Sequence, residues 1–270
     1  MTTQSLQALI DATGLKTVAL SDQTLAIPFH AEHAENLVVQ ARELADHLAY
    51  FCVALPNPGW LGEEAALTNL LRVSFAANYV KALRLGEDTI GMATEMPMEW
   101  LTPSIAEGLI RGLSHMGDVR KGDLQRWDLW EKRAMGCALA QAQHIHPDPA
   151  QSEAETARLA AAAGLQVKQI KPGLQLLEMP IAQVPIKVSA RHAASLSSFI
   201  VSFSDLKPKG NKKEYLRKLL KLNQQLNIVR LGLDSDGDVS ILYETPVIPP
   251  DIFERLNQSM GMAVLGLMAD

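Results

Sequence analysis

The sequence has few of the features that indicate a secreted, membrane or disulfide-linked protein. It contains only two cysteines in 270 residues, Cys52 and Cys137, and neither stands in a CxxC motif. A disulfide framework is therefore not expected. No apolar run approaches the roughly 18 residues that a spanning helix needs, and no basic segment precedes an apolar one at the N-terminus. These absences predict a cytoplasmic protein that does not cross a membrane.

Motifs that carry chemistry are also missing from the sequence. It has no GxSxG, HExxH or GxGxxG pattern, no paired carboxylates at a catalytic spacing, and no residue beside either cysteine that would activate the thiol. We therefore expect no catalytic residues, no cofactor and no bound metal. The alternative is an enzyme of unrecognised chemistry, which would need a deep pocket that gathers polar residues from distant parts of the chain.

Charge is divided unevenly along the chain. The net charge is -5, yet residues 1–149 carry 11 Lys+Arg against 18 Asp+Glu, while residues 150–270 carry 14 against 12. An acidic first half argues against a general nucleic-acid binder, and the asymmetry indicates either different partners for the two halves or two halves that face each other.

The chain repeats itself at a distance of 149 positions. LTNLLRVSFAANYV aligns with LRKLLKLNQQLNIV, and TIGMATEMP aligns with DVSILYETP. A repeat of this length indicates a duplicated domain. What the copies share is mostly apolar spacing, so the repeat is evidence for a fold rather than for chemistry.

Each half predicts the same order of elements, α-ββββ-α-ββ-α. The fold class is therefore α+β, with two tandem domains of mainly antiparallel sheet flanked by helices and related by pseudo-two-fold symmetry. Gly14 and Gly164 end the first helix of each half, where a left-handed cap favours glycine. The predicted helices cover residues 4–13, 62–78, 103–117, 152–163, 211–226 and 249–268. The predicted strands include 16–20, 24–29, 36–43, 47–55, 166–170, 174–179, 185–192 and 196–204, and a hairpin follows each central helix.

The predicted domain boundaries follow from the repeat. The first domain covers residues 1–122 and the second covers 151–270, with a helical arm at 123–150 that HIHPDP ends. The halves are expected to pack against each other as an intramolecular pseudo-dimer.

The element order, together with the late DSDGD-VSILYE hairpin that leads into a final helix, resembles the YbjN family, whose fold is like that of type III secretion chaperones. The resemblance is clearest in residues 211–268 and weaker in the first half, where GED replaces the DSDGD turn. It implies a protein without catalytic residues. Secretion chaperones are dimers that hold an extended segment of a partner protein, so two copies in one chain resemble a covalent pseudo-dimer.

Two short segments superficially resemble metal sites. The turn Asp234–Asp238 has alternating aspartates, but its glycine is fourth and Thr245 stands at the twelfth position, unlike a calcium-binding loop. His144 and His146 stand in a HxHxD pattern that no later ligand cluster supports. We expect a hairpin turn in the first case and an exposed end of the arm in the second.

Lysines crowd the start of the central helix in the second half. This basic segment covers residues 207–221 and contains Lys207, Lys209, Lys212, Lys213, Arg217, Lys218 and Lys221. Contact with nucleic acid is the alternative function that it suggests. Aromatic residues make up only 5% of the chain, and Tyr215 alone interrupts these lysines, so the stacking surface of single-strand binders is missing. A solvated face, or one that docks an acidic partner through Lys209, Lys212 and Lys213, fits the same residues.

Two tryptophans in the arm need a surface to cover. Trp127 and Trp130 lie three residues apart with Leu129 between them, so a helix would place both rings on one side. The arm either docks onto its own chain or reaches a second chain, in which case residues 123–143 would form a homodimer.

Charged residues also match between the copies. Arg42 aligns with Arg191 and Glu95 aligns with Glu244, which suggests ion pairs on the face of each sheet. From these observations the sequence predicts a non-catalytic protein-binding module, a chaperone or regulatory adaptor for a partner protein that it does not identify.

Overall fold

The computed structural model of the chain describes residues 5–55, 63–86, 89–204, 206 and 211–269. Seven α-helices and twelve strands lie within these ranges. The helices are α1 (Leu6–Asp11), α2 (Glu64–Ala76), α3 (Pro103–Gly117), α4 (Trp127–Ala142), α5 (Pro149–Ala162), α6 (Lys212–Gln225) and α7 (Ile252–Met268). The strands are β1 (Val18–Ser21), β2 (Thr24–Phe29), β3 (Leu37–Leu44), β4 (Leu48–Ala54), β5 (Lys81–Arg84), β6 (Ile90–Pro97), β7 (Gln166–Lys171), β8 (Leu174–Ile181), β9 (Val184–Ala193), β10 (Leu196–Phe203), β11 (Val229–Leu233) and β12 (Val239–Thr245).

The strands form two antiparallel sheets of six strands, one in each half. Their orders are β1-β2-β3-β4-β6-β5 and β7-β8-β9-β10-β12-β11. Within each sheet the strands before the central helix form a meander, and the hairpin after that helix inserts its second strand beside the fourth. The protein is thus α+β, as the alternation of apolar residues predicts.

Local sequence sets the ends of several helices. Thr102 accepts a hydrogen bond from the Ile105 amide at 3.1 Å, and Pro103 takes the first helical position of α3, where its missing amide hydrogen costs nothing. Asp148 and Pro149 begin α5 in the same way. Gly14 and Gly164 have φ angles of 74° and 70°, which confirms the predicted left-handed caps.

The central helices of the two halves cover each other's sheets. Helix α2 of the first half packs against β11 of the second sheet, α6 packs against β5 of the first, and the two helices also touch. A Cβ at Gly232 on β11 would lie 2.7 Å from the backbone nitrogen of Phe75 on α2, so only glycine permits this approach. As a result, apolar residues of both halves form one continuous buried cluster.

Some predicted boundaries differ from the structure. Helix α5 begins at Pro149 rather than at residue 152, because the proline that ends the arm also starts the next helix. Helix α7 begins at Ile252, three residues later than predicted. The GED turn lies largely outside the described residues. None of the helices within the described ranges is both long and apolar enough to cross a bilayer.

Candidate protein-binding groove and the contact between the halves

A buried ion pair in the first half reaches into the second half. Lys81 Nζ on β5 lies 2.9 Å from Glu95 Oε2 on β6, and both side chains are at most 5% exposed. Lys81 also donates to the Leu226 carbonyl, and the Ile228 amide donates to Glu95 at 2.6 Å. Burial lowers the pKa of Lys81, and the Glu95 carboxylate opposes that shift. The pair therefore binds backbone groups in the connection between α6 and β11.

A second buried ion pair makes the corresponding contacts in the opposite direction. Arg230 Nη2 on β11 lies 2.6 Å from Glu244 Oε1 on β12, with 3% and 5% of the side chains exposed. Arg230 donates to the Ala77 carbonyl at 3.2 Å, and Glu244 accepts from the Tyr79 amide at 2.5 Å. Each half thus supplies a buried cation and a buried carboxylate to the backbone of the other.

These carboxylates hold two residues in an unfavourable backbone conformation. Tyr79 and Ile228 have φ angles of 58° and 68°, a region that costs bulky or β-branched side chains energy. The Tyr79 amide donates a hydrogen bond to Glu244, and the Ile228 amide donates one to Glu95. The ion pairs therefore fix the shape of both connections between central helix and hairpin.

An open groove of about 730 Å³ lies beside the second of these connections. Residues of both halves line it. Pro97, Met98 and Glu99 come from the end of β6 and the turn that follows, Leu226 and Ile228 come from the α6–β11 connection, and one face of α7 forms the remaining wall. We call this space the α7 groove.

Carboxylates outnumber cations in the α7 groove. Arg255 lies 2.8 Å from both Glu99 Oε1 and Asp251 Oδ1, and its guanidinium stacks 4.8 Å from the centre of the Trp100 ring. Glu254 is exposed and accepts from the Gln258 amide group at 3.2 Å. The lining thus holds three carboxylates against one guanidinium, together with His47.

Apolar side chains continue the groove along α7 toward its C-terminal end. Met262 lines the groove and is 64% exposed, and Leu265 and Met268 are 56% and 71% exposed. Their spacing of three residues keeps them on neighbouring parts of one helix surface. A row of exposed large apolar residues beside an open groove is a typical feature of interaction surfaces.

The arm docks onto its own chain, which decides between the two alternatives for Trp130. Its ring is 1% exposed, and Nε1 donates to the Leu124 carbonyl at 3.1 Å. Trp127 and Leu129 are both half-buried, and the Arg72 guanidinium lies 5.6 Å from the centre of the Trp127 ring. The prediction that Trp130 could anchor a second chain is therefore wrong, because its ring is already buried in the core of its own chain. Met135 and Leu139 form the exposed apolar part of the arm.

The described candidate lysines, Lys212 and Lys213, do not line the α7 groove. Lys212 Nζ forms an ion pair with Glu64 Oε1 of the same chain at 2.8 Å. The Lys213 amide donates to Asn211 at 3.0 Å in the cap of α6, and Lys218 donates to the Ala269 carbonyl at the end of α7. Lys207 and Lys209 lie outside the described residues. Nucleic-acid binding through this segment stays a prediction.

The segments that resemble metal sites have local structural contacts. Asp234 Oδ1 accepts from the Asp236 and Asp238 amides at 3.0 and 2.9 Å, and Gly237 has a φ of 81°, which confirms the predicted hairpin turn. His144 packs against α3, with Nδ1 3.7 Å from Glu107 Oε2. The described part of the chain brings no three His, Cys, Asp or Glu side chains together in a way that could hold a metal ion.

Both thiols are buried. Burial raises the pKa of Cys137 to about 12 and also raises the pKa of Cys52. The thiolate is the reactive form of cysteine, so neither side chain is suited to nucleophilic chemistry in this structure.

The matched glutamates pair differently from the prediction. Glu95 and Glu244 bind Lys81 and Arg230 on the neighbouring strands, and Arg42 stacks 4.9 Å from the Tyr50 ring centre instead. Sequence reasoning missed Lys81 and Arg230. The available signal was a basic residue at matched positions, 149 apart, inside two mainly apolar segments, YVKALRL and IVRLGL. No family model, curated protein or solved structure matches this chain.

Proposed function

We propose that this chain is a non-catalytic protein-binding module, a chaperone or regulatory adaptor, that holds a segment of another protein in the α7 groove. The groove is the observation that carries the proposal. It is open, both halves line it, and it leads onto Met262, Leu265 and Met268, which this chain leaves exposed. Burying such residues against a partner is favourable by about 25 cal/mol for each Å² of apolar surface.

We also propose that the two halves are tandem copies related by pseudo-two-fold symmetry, as in the YbjN-like pseudo-dimer that the sequence resembles. The reciprocal contacts support this proposal. Lys81 binds the Leu226 carbonyl, and Arg230 binds the Ala77 carbonyl. Lys81 and Arg230 lie 149 positions apart, and so do Ala77 and Leu226. This is the distance at which the sequence repeats. The proposed cellular location is the cytoplasm.

Affinity capture with groove variants tests the binding proposal. The full chain carries a tag in its native host, and captured proteins are compared between wild type, Met262→Glu and Met135→Glu. The third protein is a matched control, because Met135 is 61% exposed on α4 and does not line the groove. A charge at position 262 would have to be buried beneath a partner, which is costly. We expect wild type and Met135→Glu to capture a protein that Met262→Glu fails to capture.

Two outcomes would contradict the proposal. One is that no protein rises above background with any variant, while the purified chain converts a small molecule. The other is that Met262→Glu captures the same proteins as wild type to the same extent. Circular dichroism of the purified proteins checks that Met262→Glu and Met135→Glu remain folded.

A further inference from the structure

The chain itself shows how one of its terminal helices is covered. Helix α4 lies along α3 so closely that a Cβ at Gly112 would lie 3.0 Å from Cys137 Sγ, and one at Gly108 would lie 3.0 Å from His144 Cβ. Ser104 donates to the His144 carbonyl at 3.1 Å, and Gln141 donates to the Asn78 carbonyl at 3.0 Å. Helix α4 therefore fills the space between α3 and the α2–β5 connection.

Helix α7 is the last helix of the second half, and no described helix lies along it as α4 lies along α3. It packs mainly against β8, β11 and β12, whereas α3 packs mainly against β3, β4 and β6. Leu109, Leu113 and Met116 are the buried residues of α3, and Leu256, Met260 and Ala263 repeat their spacing on α7. Matching these residues uses a shift of 147 positions, two fewer than the repeat, and places Ser104, Gly108, Gly112 and His115 at Asp251, which precedes α7, and at Arg255, Ser259 and Met262 on α7. Asp251, Arg255, Ser259 and Met262 all line the α7 groove.

The remaining wall of the groove also has a counterpart beside α4. Asn78 follows α2 and binds Gln141 of α4, whereas Leu226, Asn227 and Ile228 follow α6 and line the α7 groove. The groove is also continuous with the contact between the halves, because Leu226 and Ile228 bind Lys81 and Glu95. The space that a helix fills in the first half is thus open in the second.

Side-chain chemistry indicates which helix would fit. Gly108 and Gly112 admit α4 closely, while Arg255 and Ser259 keep an occupant farther from α7 and give it a polar surface to face. Asp251 and Glu99 pair with the single guanidinium in the lining, Arg255, and Glu254 adds a third carboxylate, so the groove attracts positive charge. Toward Met262 and Leu265 the surface becomes apolar.

We propose that the α7 groove holds an amphipathic helix of another protein, with Lys or Arg facing Glu99, Asp251 and Glu254 and apolar residues facing Met262 and Leu265. The inference rests on the proposed function and adds the conformation and charge of the partner. The face from Asp251 to Leu265 is about 21 Å long at 1.5 Å per residue, which a helix of about four turns covers. Helix-in-groove recognition needs apolar residues repeated at helical spacing on one face of the partner.

Probe peptides test this directly with the full chain. Three fluorescent peptides of about 18 residues share one apolar stripe, a length at which isolated helices become measurable. The first flanks the stripe with lysines, the second replaces the lysines with glutamates, and the third is the lysine peptide with a central proline. Anisotropy titrations compare wild type, Glu254→Lys and the control Met135→Glu.

We expect the lysine peptide to bind wild type at least about tenfold more tightly than the glutamate and proline peptides do. Glu254→Lys weakens the lysine peptide and strengthens the glutamate peptide, because the charge swap exchanges attraction for repulsion. Met135→Glu leaves both affinities unchanged. Added salt weakens the lysine peptide.

Three results would overturn the inference; the proposed function survives the first two and fails with the third. If the proline peptide binds as tightly as the lysine peptide, the occupant is extended and the binding function stands. If no peptide binds while Met262 still determines capture in cells, the helix and its charge are wrong and the function stands. If light scattering shows a dimer that Met262→Glu converts to a monomer, a second copy fills the groove and both proposals fail.

Discussion

Arg230 and Glu244 form an ion pair of 2.6 Å in which neither side chain is more than 5% exposed, and both also bind backbone groups of the opposite half. A buried pair of this kind contributes little net stability, yet removing one partner leaves an unpaired charge. We therefore expect the pair to select the arrangement of the two halves more than to increase the net stability.

Breaking this pair is expected to destabilise the whole chain. Glu244→Leu should lower the free energy of unfolding by about 3–5 kcal/mol, since the Arg230 charge is left buried without its carboxylate. The double variant Arg230→Met/Glu244→Leu should lose less than the sum of the two single variants. Urea unfolding gives the free energy of unfolding for wild type, Arg230→Met, Glu244→Leu and the double variant. Strictly additive losses would contradict the coupling, and Arg158→Ala, in an exposed pair with Glu155, serves as a control that changes little.

Gly232→Ala tests the contact between α2 and the second sheet. The new Cβ would lie 2.7 Å from the Phe75 nitrogen, and a backbone atom cannot turn aside as a flexible side chain can. We expect a loss of about 1–3 kcal/mol in unfolding free energy. Gly122→Ala is the matched control, because nothing lies within 4 Å of its Cβ position. Equal stability of the two variants would show that the halves do not approach as described.

The element order was predictable from sequence, whereas the packing of each central helix against the sheet of the other half was not. Leu67, Leu70 and Leu71 indicate an apolar face on α2, and that pattern is satisfied equally well by either sheet. Which sheet the helix covers depends on contacts such as Gly232 with Phe75, which join distant parts of the chain. Local periodicity contains no information about them.

The candidate site was less predictable than the fold. Met262 and Leu265 read as ordinary members of an apolar helix, GMAVLGLM, and only the packing of Met260 and Val264 inward shows that they face outward. Trp127 and Trp130 drew attention as tryptophans, yet one of them is core. Sequence reveals that a side chain is apolar, but exposure is a property of the assembled chain.

Thiol reactivity reports the docking of the arm. Both cysteines should resist a maleimide in the native chain and react when urea unfolds it, because burial removes access and raises each pKa. Gly112→Val, which would crowd Cys137 and Gln141, should expose Cys137 and leave Cys52 protected. Mass spectrometry identifies the modified residue. Rapid native labelling of Cys137 in the unmodified sequence would mean that the arm leaves its own chain.

His192 is expected to make stability depend on pH. Burial lowers its pKa despite an opposing effect of Glu153, and its ring nitrogens lie 2.9 Å from Ser197 Oγ and 3.3 Å from Gln175 Oε1. The unfolded chain therefore takes up the proton first, and the free energy of unfolding falls as pH decreases through about 6.5, by at most about 1.4 kcal/mol per pH unit.

Urea unfolding across this range compares wild type with His192→Gln. In His192→Gln, the free energy of unfolding should depend less on pH in this range. His47→Asn should behave like wild type, because the His47 side chain is 80% exposed. Parallel pH curves for wild type and His192→Gln would contradict the assignment.

The central claim is that the α7 groove binds another protein, and site-specific photo-crosslinking in the native host tests it most directly. A photoreactive residue replaces Met262 or Gln258 in the groove, or Met135 outside it, in the full chain. We expect one discrete protein adduct from positions 262 and 258 and none from position 135. No adduct from either groove position, with an adduct from position 135, would contradict it.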